Sequence, residues 1–166
     1  MDLMNFEQAE LYFDEPISVE AERLIAEAAG CYGEEKAELL LLRANFIAPE
    51  KLMVLVALYR YYFYQHRLED ALQVAESAMS ITGRRLGFPE GWQALQVDNV
   101  GAGVMRSMGL VRFYLMVLKA AGYINLRLGK YDMGSAMLEK LVELDSHDRM
   151  GGRALLDVVK KESEIF

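Results

Sequence analysis

The sequence lacks the features of exported and membrane-spanning proteins. It contains one cysteine, Cys31, so an intramolecular disulfide is impossible. The N-terminus, MDLMNFEQAELYFDEP, is acidic and has neither the basic nor the apolar region of a signal peptide. The longest apolar run, LMVLVALY (52–59), is far shorter than the roughly 20 residues that span a bilayer. We therefore expect a soluble, cytoplasmic protein.

The sequence also lacks an excess of positive charge. Its formal net charge is −7 and its isoelectric point is about 4.9. Sequence-independent binding of DNA or RNA depends on clustered lysine and arginine, and so does docking on an anionic membrane. We therefore expect neither a nucleic acid nor a membrane among its partners.

Residues that interrupt helices are few. Prolines occur only at positions 16, 49 and 89, and the alternation of apolar and polar residues that marks β-strands is nearly absent. Alanine, leucine, glutamate, methionine and lysine recur instead at helical spacing. Apolar residues make up 53% of the chain, enough for a substantial core. The sequence predicts one all-α domain covering residues 1–166.

Three segments share one spacing of small and aliphatic residues. EEKAELLLLRANFIAP, LEDALQVAESAMSITG and YDMGSAMLEKLVELDS follow steps of four, three and five, and each closes on Pro, Gly or Ser. The positions are Ala37, Leu41, Ala44 and Pro49, then Ala71, Ala75, Ala78 and Gly83, then Gly134, Leu138, Leu141 and Ser146. A second pattern, with steps of three, one and three, precedes each of them. Its positions are Ala21, Leu24, Ile25 and Ala28, then Leu55, Leu58, Tyr59 and Tyr62, then Leu118, Ala121, Gly122 and Asn125.

Together the two patterns define a helix–turn–helix unit of about 34 residues. The unit resembles the tetratricopeptide repeat (TPR), and the resemblance covers residues 18–51, 52–85 and 115–148. It implies an α-solenoid of stacked antiparallel helix pairs, in which small residues let the two helices of a unit approach closely. Residues 149–166 are then expected to form the capping helix that covers the open apolar end of the stack.

An insert, residues 86–114, separates the second and third units. Asp98 and Asn99 with Gly101 predict a helix end, and residues 104–127 then predict one long helix running into the third unit. Trp92 is expected to fill a small core of the insert, the alternative being an interface anchor.

The run YRYYFYQHR (59–67) contains five aromatic rings that cannot all face one side of a helix. The resemblance implies that the first helix of each unit lines a concave groove and that Leu58, Tyr59 and Tyr62 lie between helices. The implied groove residues are Met53, Val56, Arg60, Phe63 and Tyr64 in the second unit, Met116, Lys119, Tyr123, Leu126 and Arg127 in the third, and Val19, Glu22, Ala26, Ala29 and Gly30 in the first. Because this groove is basic in an acidic protein, its expected partner is an acidic segment with apolar anchors.

Residue patterns for catalysis, cofactors or metals are weak, and we expect none of the three. His66 and His147 fall in predicted turns, and the sequence DSHD (145–148) is expected to be a solvated turn rather than a metal site. Cys31 is expected to be a small residue at a helix turn. The glycine groups GAG (101–103) and MGGR (150–153) follow no strand, so a phosphate-binding loop is not expected.

The favoured function is a non-enzymatic adaptor or chaperone-like protein that binds a partner segment in the groove. A narrower form is the TPR chaperone of bacterial secretion systems, although those repeats are usually contiguous. The rival function is an enzyme or small-ligand sensor with its site in the insert 86–114. Binding of heat-shock chaperone tails is excluded, because Lys119 is the one suitable donor among the corresponding groove positions.

Both chain ends combine acidic and apolar residues. Phe6, Tyr12 and Phe13 lie among carboxylates near the N-terminus, and the chain ends in Glu164, Ile165 and Phe166. Either both segments compete for the groove, or Phe6 and Tyr12 cap the open end of the first repeat while Phe166 frays in solvent. The groove contact made between two chains would form a homodimer.

Overall fold

The computed structural model of the protein describes residues 15–163, in which it contains eight α-helices, one short 3-10 helix and no strand. The all-α prediction is confirmed for this range. None of the described helices combines the length and apolarity of a bilayer crossing. The helices are α1 (Val19–Ala29), α2 (Glu35–Ile47), α3 (Leu52–Tyr64), α4 (Leu68–Leu86), α5 (Val97–Arg106), α6 (Met108–Arg127), α7 (Tyr131–Leu144) and α8 (Gly152–Ser163), with the 3-10 helix at Trp92–Ala94 before α5.

Local sequence signals account for several helix ends. The Ser18 hydroxyl accepts a hydrogen bond from the Ala21 amide at 3.2 Å and so caps the start of α1. Helix α4 has acidic residues in its first turn and arginines in its last, as the helix dipole favours. It ends at Gly87, whose φ of 70° is the left-handed conformation that glycine adopts without strain.

Neighbouring helices pack as pairs: α1 with α2, α3 with α4, and α6 with α7. Further contacts join α2 to α3, α4 to α6, and α7 to α8. Helices α6 and α7 approach closely, because a Cβ atom added to Gly134 would lie 2.8 Å from the backbone oxygen of Gly122 and 2.7 Å from Leu126 Cγ. Burial of alanines such as Ala37, Ala44 and Ala71, each at 0% exposure, allows similar packing in the other pairs.

The predicted long helix over 104–127 is wrong. Helix α5 ends at Arg106, and Ser107 is extended, with φ −161° and ψ 105°. The Ser107 hydroxyl then accepts from the Leu110 amide at 3.1 Å and caps α6. The helical spacing of apolar residues continues across this break, but the serine side chain gives the backbone an alternative hydrogen bond.

The helix end predicted at residues 98–101 is also wrong, since this segment begins α5. The Asn99 side chain accepts from the Gln96 amide at 2.9 Å, which completes a capping box at the helix start.

The insert is packed onto the helix pairs. Leu95 is fully buried, and its carbonyl oxygen accepts from Lys140 Nζ of α7 at 3.0 Å. Phe88 contacts Tyr114 edge-to-face, with ring centroids 5.1 Å apart, and lies against Gly103 of α5. The insert therefore contacts α7 through Leu95 and α6 through the Phe88–Tyr114 ring pair.

Glu15, the first residue of the described range, contacts both α3 and α4. One carboxylate oxygen accepts from the Leu52 amide at 2.9 Å, and the other lies 2.7 Å from Arg85. Glu15 thus caps α3 from outside the helix and ties it to the end of α4. The roles predicted for Phe6, Tyr12, Phe13, Glu164, Ile165 and Phe166 concern residues outside this range.

Candidate functional site

The aromatic run on α3 is divided between core and surface. Tyr59, Tyr61 and Tyr62 are buried, Phe63 is half-buried, and Tyr64 is 45% exposed. Tyr61 packs against Tyr32, with ring centroids 5.7 Å apart. Three of the five rings therefore serve the interior of the protein.

Tyr62 takes part in a polar cluster that joins α2 to the start of α4. Its hydroxyl donates to Glu38 at 3.1 Å, and the Arg67 guanidinium lies 2.6 Å from the same carboxylate and 4.7 Å from the Tyr62 ring. Burial, together with the Glu38 contact, raises the pKa of Tyr62 to about 12. The hydrogen bond from Arg67 lowers the pKa of Glu38. This cluster is structural, because all its charges are matched internally.

The predicted groove residues of α3 differ in accessibility. Met53 and Arg60 are half-buried on the same side of the helix as the exposed Tyr64. Val56, by contrast, is only 7% exposed and lies in the core, so it offers no surface to a partner. The first helix, α1, presents Val19 at 81% exposure but carries no basic residue on its predicted groove positions.

The predicted groove residues of α6 follow one face of that helix. Met116, Lys119 and Tyr123 are half-buried, and Arg127 is exposed. Arg127 donates to the Tyr123 hydroxyl at 3.0 Å, with its guanidinium 5.7 Å from the centre of that ring.

Arg112 extends this face by one further turn and is exposed. Sequence reasoning missed it because it fell within the insert. Its spacing of four residues before Met116 and seven before Lys119 is the signal that could have identified it.

Helices α3 and α6 differ from the rest of the chain in charge. Together they carry four basic residues, Arg60, Arg112, Lys119 and Arg127, and no aspartate or glutamate. Because the whole chain has a net charge of −7, the remainder carries −11. None of the four forms an ion pair with any residue in the described range. The two helices approach each other at one point, where Val56 and Tyr59 of α3 and Phe113 and Val117 of α6 line one small pocket.

A cleft of about 670 Å³ adjoins this face, between the C-terminal half of α6 and α8. Its wall is mostly apolar, with Tyr131 62% exposed and Val158 55% exposed. The residues that line it are Tyr123, Leu126, Arg127, Tyr131, Leu155, Val158, Val159 and Glu162. Sequence reasoning identified the first three. The contribution of α8 could have been found from the helical spacing of Leu155, Val158 and Val159.

A second depression, of about 550 Å³, lies where the insert meets α4, α6 and α7. Its lining includes Trp92, which is half-buried, together with Phe88 and Tyr114. It occupies the region in which the rival prediction placed a small-ligand site.

The remaining candidate residues have structural contacts. Asp145 and Asp148 accept from the Met150 and Arg153 amides, at 2.8 and 3.2 Å, and so hold the turn before α8. The Cys31 thiol donates to the Glu27 carbonyl at 3.4 Å. Between residues 15 and 163, no three histidine, cysteine, aspartate or glutamate side chains are grouped so as to hold a metal ion.

Comparison with known proteins identifies a close relative. A protein of Azotobacter chroococcum mcd 1, named "Uncharacterized 19.8 kDa protein in nifW 5'region", is 48% identical to the chain over 163 residues, which is 98% of this chain and 91% of the relative. No protein-family model matches the chain. No solved structure matches it significantly.

Proposed function

The chain belongs to the family of the 19.8 kDa protein of the Azotobacter chroococcum nifW 5′ region, and we propose that it is a non-enzymatic adaptor or chaperone-like protein that binds an acidic segment of another protein. In this proposal the helix pairs form a TPR-like stack, with α1, α3, α6 and α8 along its concave side. The partner lies across α3 and α6 and places an apolar side chain in the cleft beside α8.

The observation that carries the proposal is the separation of charge. Four basic residues and no carboxylate occur on α3 and α6, in a chain that is otherwise strongly acidic. An acidic partner is repelled by the rest of the surface and attracted to Arg60, Arg112, Lys119 and Arg127, which together form the basic face of this proposal. This attraction gives both specificity and a faster association. Because these cations have no ion-pair partner within the described range, binding a carboxylate breaks no existing ion pair.

The apolar component of recognition is supported by the cleft between α6 and α8. Its volume of about 670 Å³ lies within the usual range of ligand sites, roughly 300–1,000 Å³. Tyr123 and Arg127 are of the residue types that most often dominate binding energy at interfaces, and they lie at the boundary of the basic face and the cleft. A leucine, phenylalanine or tyrosine of the partner, next to its acidic residues, fits this combination.

The test uses a partner segment mapped by cross-linking and prepared as a fluorescent peptide, beside a version in which glutamine and asparagine replace its carboxylates. Arg60→Glu combined with Arg127→Glu is expected to weaken binding of the acidic peptide at least about tenfold, because two attractions become repulsions. Fluorescence anisotropy measures the dissociation constant, and circular dichroism verifies that helicity is retained.

The matched control is Arg43→Glu combined with Arg153→Glu, which makes the same change in net charge on α2 and on the side of α8 away from the cleft. Both side chains are exposed and lie outside the basic face. Equal losses in the two double variants would mean that only total charge matters. Equal affinity for the acidic and neutral peptides would refute the acidic partner.

A further inference from the structure

The 550 Å³ depression beside the insert has a defined wall. The last turns of α4 form one side, the loop from Phe88 to Trp92 forms another, and Tyr114 of α6 and Met137 of α7 lie at its base. It shares no lining residue with the basic face or with the cleft beside α8. What it binds is therefore a separate question from the proposed adaptor function.

Three aromatic residues contribute to this wall. Phe88 and Tyr114 meet edge-to-face at 5.1 Å between ring centroids, and Tyr114 is only 4% exposed, so Tyr114 supports Phe88 while Phe88 and Trp92 provide the accessible aromatic surface. Phe88 is held in place from behind, because a Cβ atom on Gly103 would lie 2.7 Å from its ring. Trp92 is the single tryptophan of the protein. Two of the three rings are thus fixed by packing before any ligand arrives.

The unmatched charge at this pocket is negative. Glu76 and Glu90 line it, are exposed, and form no ion pair or side-chain hydrogen bond with other described residues. Arg84 also lines it, but its guanidinium donates to Glu50 at 2.8 Å. The arginine charge is therefore already balanced, while the two glutamate charges are not.

We propose that this pocket binds a small organic cation of the quaternary ammonium class. Aromatic rings attract such cations through their negative faces, and the two carboxylates add a favourable potential. A neutral apolar ligand gains nothing from Glu76 and Glu90, and an anion is repelled by them.

Trp92 provides a direct readout because its fluorescence reports on this pocket alone. Choline is the probe, and dimethylbutanol, its uncharged isostere, is the control ligand. The expected result is a saturable change in Trp92 emission with choline and no saturable change with the neutral isostere. Absence of a saturable response to choline, or an equal response to both compounds, would overturn the proposal.

Variants test whether the carboxylates are responsible. Glu76→Gln combined with Glu90→Gln is expected to weaken choline binding about tenfold, as two surface charge interactions of a few-fold each are lost. Glu139→Gln, an exposed change on α7 outside the pocket, is expected to leave binding unchanged. If the double variant loses helicity, Glu90→Gln alone, in the loop, serves in its place with a loss of about three- to fivefold.

An unchanged choline affinity in the folded carboxylate variants would refute the site. The arginine variants of the basic face are expected to bind choline normally, so failure of the adaptor proposal and failure of this one give different results.

Discussion

Two sets of basic residues in this protein have opposite surroundings. Arg23, Arg67, Arg84 and Arg85 each lie within 2.8 Å of a carboxylate oxygen and join neighbouring turns or helices. The basic residues of α3 and α6 have no such partner in the described range and share their two helices with no carboxylate. The same side-chain types therefore form ion pairs in one place and have no ion-pair partner among the described residues in the other. The structure distinguishes them by their neighbours, which the residue type alone cannot do.

The largest stability effect is expected at Glu15, whose side chain is the most buried among the carboxylates that pair with these arginines. Glu15→Ala removes the cap on the Leu52 amide and leaves Arg85, whose side chain is 34% exposed, without its carboxylate. We expect a loss of about 2 kcal/mol in the free energy of unfolding, measured by urea titration. Glu22→Ala, an exposed change on α1, is the control and should cost under about 0.5 kcal/mol.

Glu15 also determines how a truncation should be designed. Removing residues 1–14 keeps the Glu15 contacts, whereas removing residues 1–15 destroys them. If the N-terminal segment competes for the basic face, the shorter deletion is expected to increase affinity for an acidic peptide. An unchanged affinity with lower thermal stability would instead identify the segment as a cap.

A smaller loss is expected at Glu38, where Tyr62 and Arg67 converge. Glu38→Gln keeps the shape of the side chain but removes its charge, and about 1 kcal/mol of unfolding free energy should be lost because the site is partly open to solvent. Glu35→Gln on the exposed start of α2 is the matched control. Identical unfolding curves for the Glu38 variant and the unaltered protein would contradict a stabilising role for this cluster.

The same cluster predicts a pH dependence of stability. Arg67 lowers the pKa of Glu38 in the folded state. The stabilisation from the Glu38 carboxylate is therefore complete above the pKa of glutamate in the unfolded chain, about 4.3. That contribution is lost as the pH falls from there through the lower folded pKa. Urea titrations between pH 6 and pH 3 should therefore show a shallower decline for Glu38→Gln than for the unaltered protein. Parallel declines would show that other carboxylates account for the acid sensitivity.

The smallest stability effect is expected on the basic face. Arg112→Ala removes an exposed charge that has no ion-pair partner among the described residues, and the free energy of unfolding should change by under about 0.5 kcal/mol. Arg67→Ala is the comparison and should cost more, since it breaks contacts to Glu38 and Asp70. A cost for Arg112→Ala equal to that of Arg67→Ala would remove the distinction between the two sets.

The fold was predictable from sequence where one residue pattern corresponds to one helix. Small and aliphatic residues at fixed steps predicted the buried positions of α2, α4 and α7, and Leu41, Ala75 and Leu138 are all within 1% of complete burial. The pattern failed at Ser107, because a serine cap interrupts a helix without changing the apolar spacing on either side. The Ser107 cap therefore divides the segment that the spacing predicts as one helix into α5 and α6.

The candidate site was less predictable, since accessibility depends on contacts between distant segments. Val56 has the spacing of a surface residue, yet it is buried where α3, α4 and α6 meet. Val158 belongs to a short amphipathic helix, and its cleft exists only because α8 lies beside the end of α6. Arg112 was missed because the repeat spacing assigned residues 86–114 to an insert outside the groove. The accessibility of such residues can be assigned once it is known which helices pack against each face.

The close crossing of α6 and α7 limits which residues position 134 can carry in homologous sequences. At Gly134 the backbone of one helix meets the backbone of the other, with 2.8 Å between an added Cβ atom and the Gly122 oxygen. Rotating a side chain cannot relieve an overlap between main chains. A homologous sequence with alanine or any larger residue at this position must therefore hold these two helices further apart, and its cleft beside α8 would change shape with them.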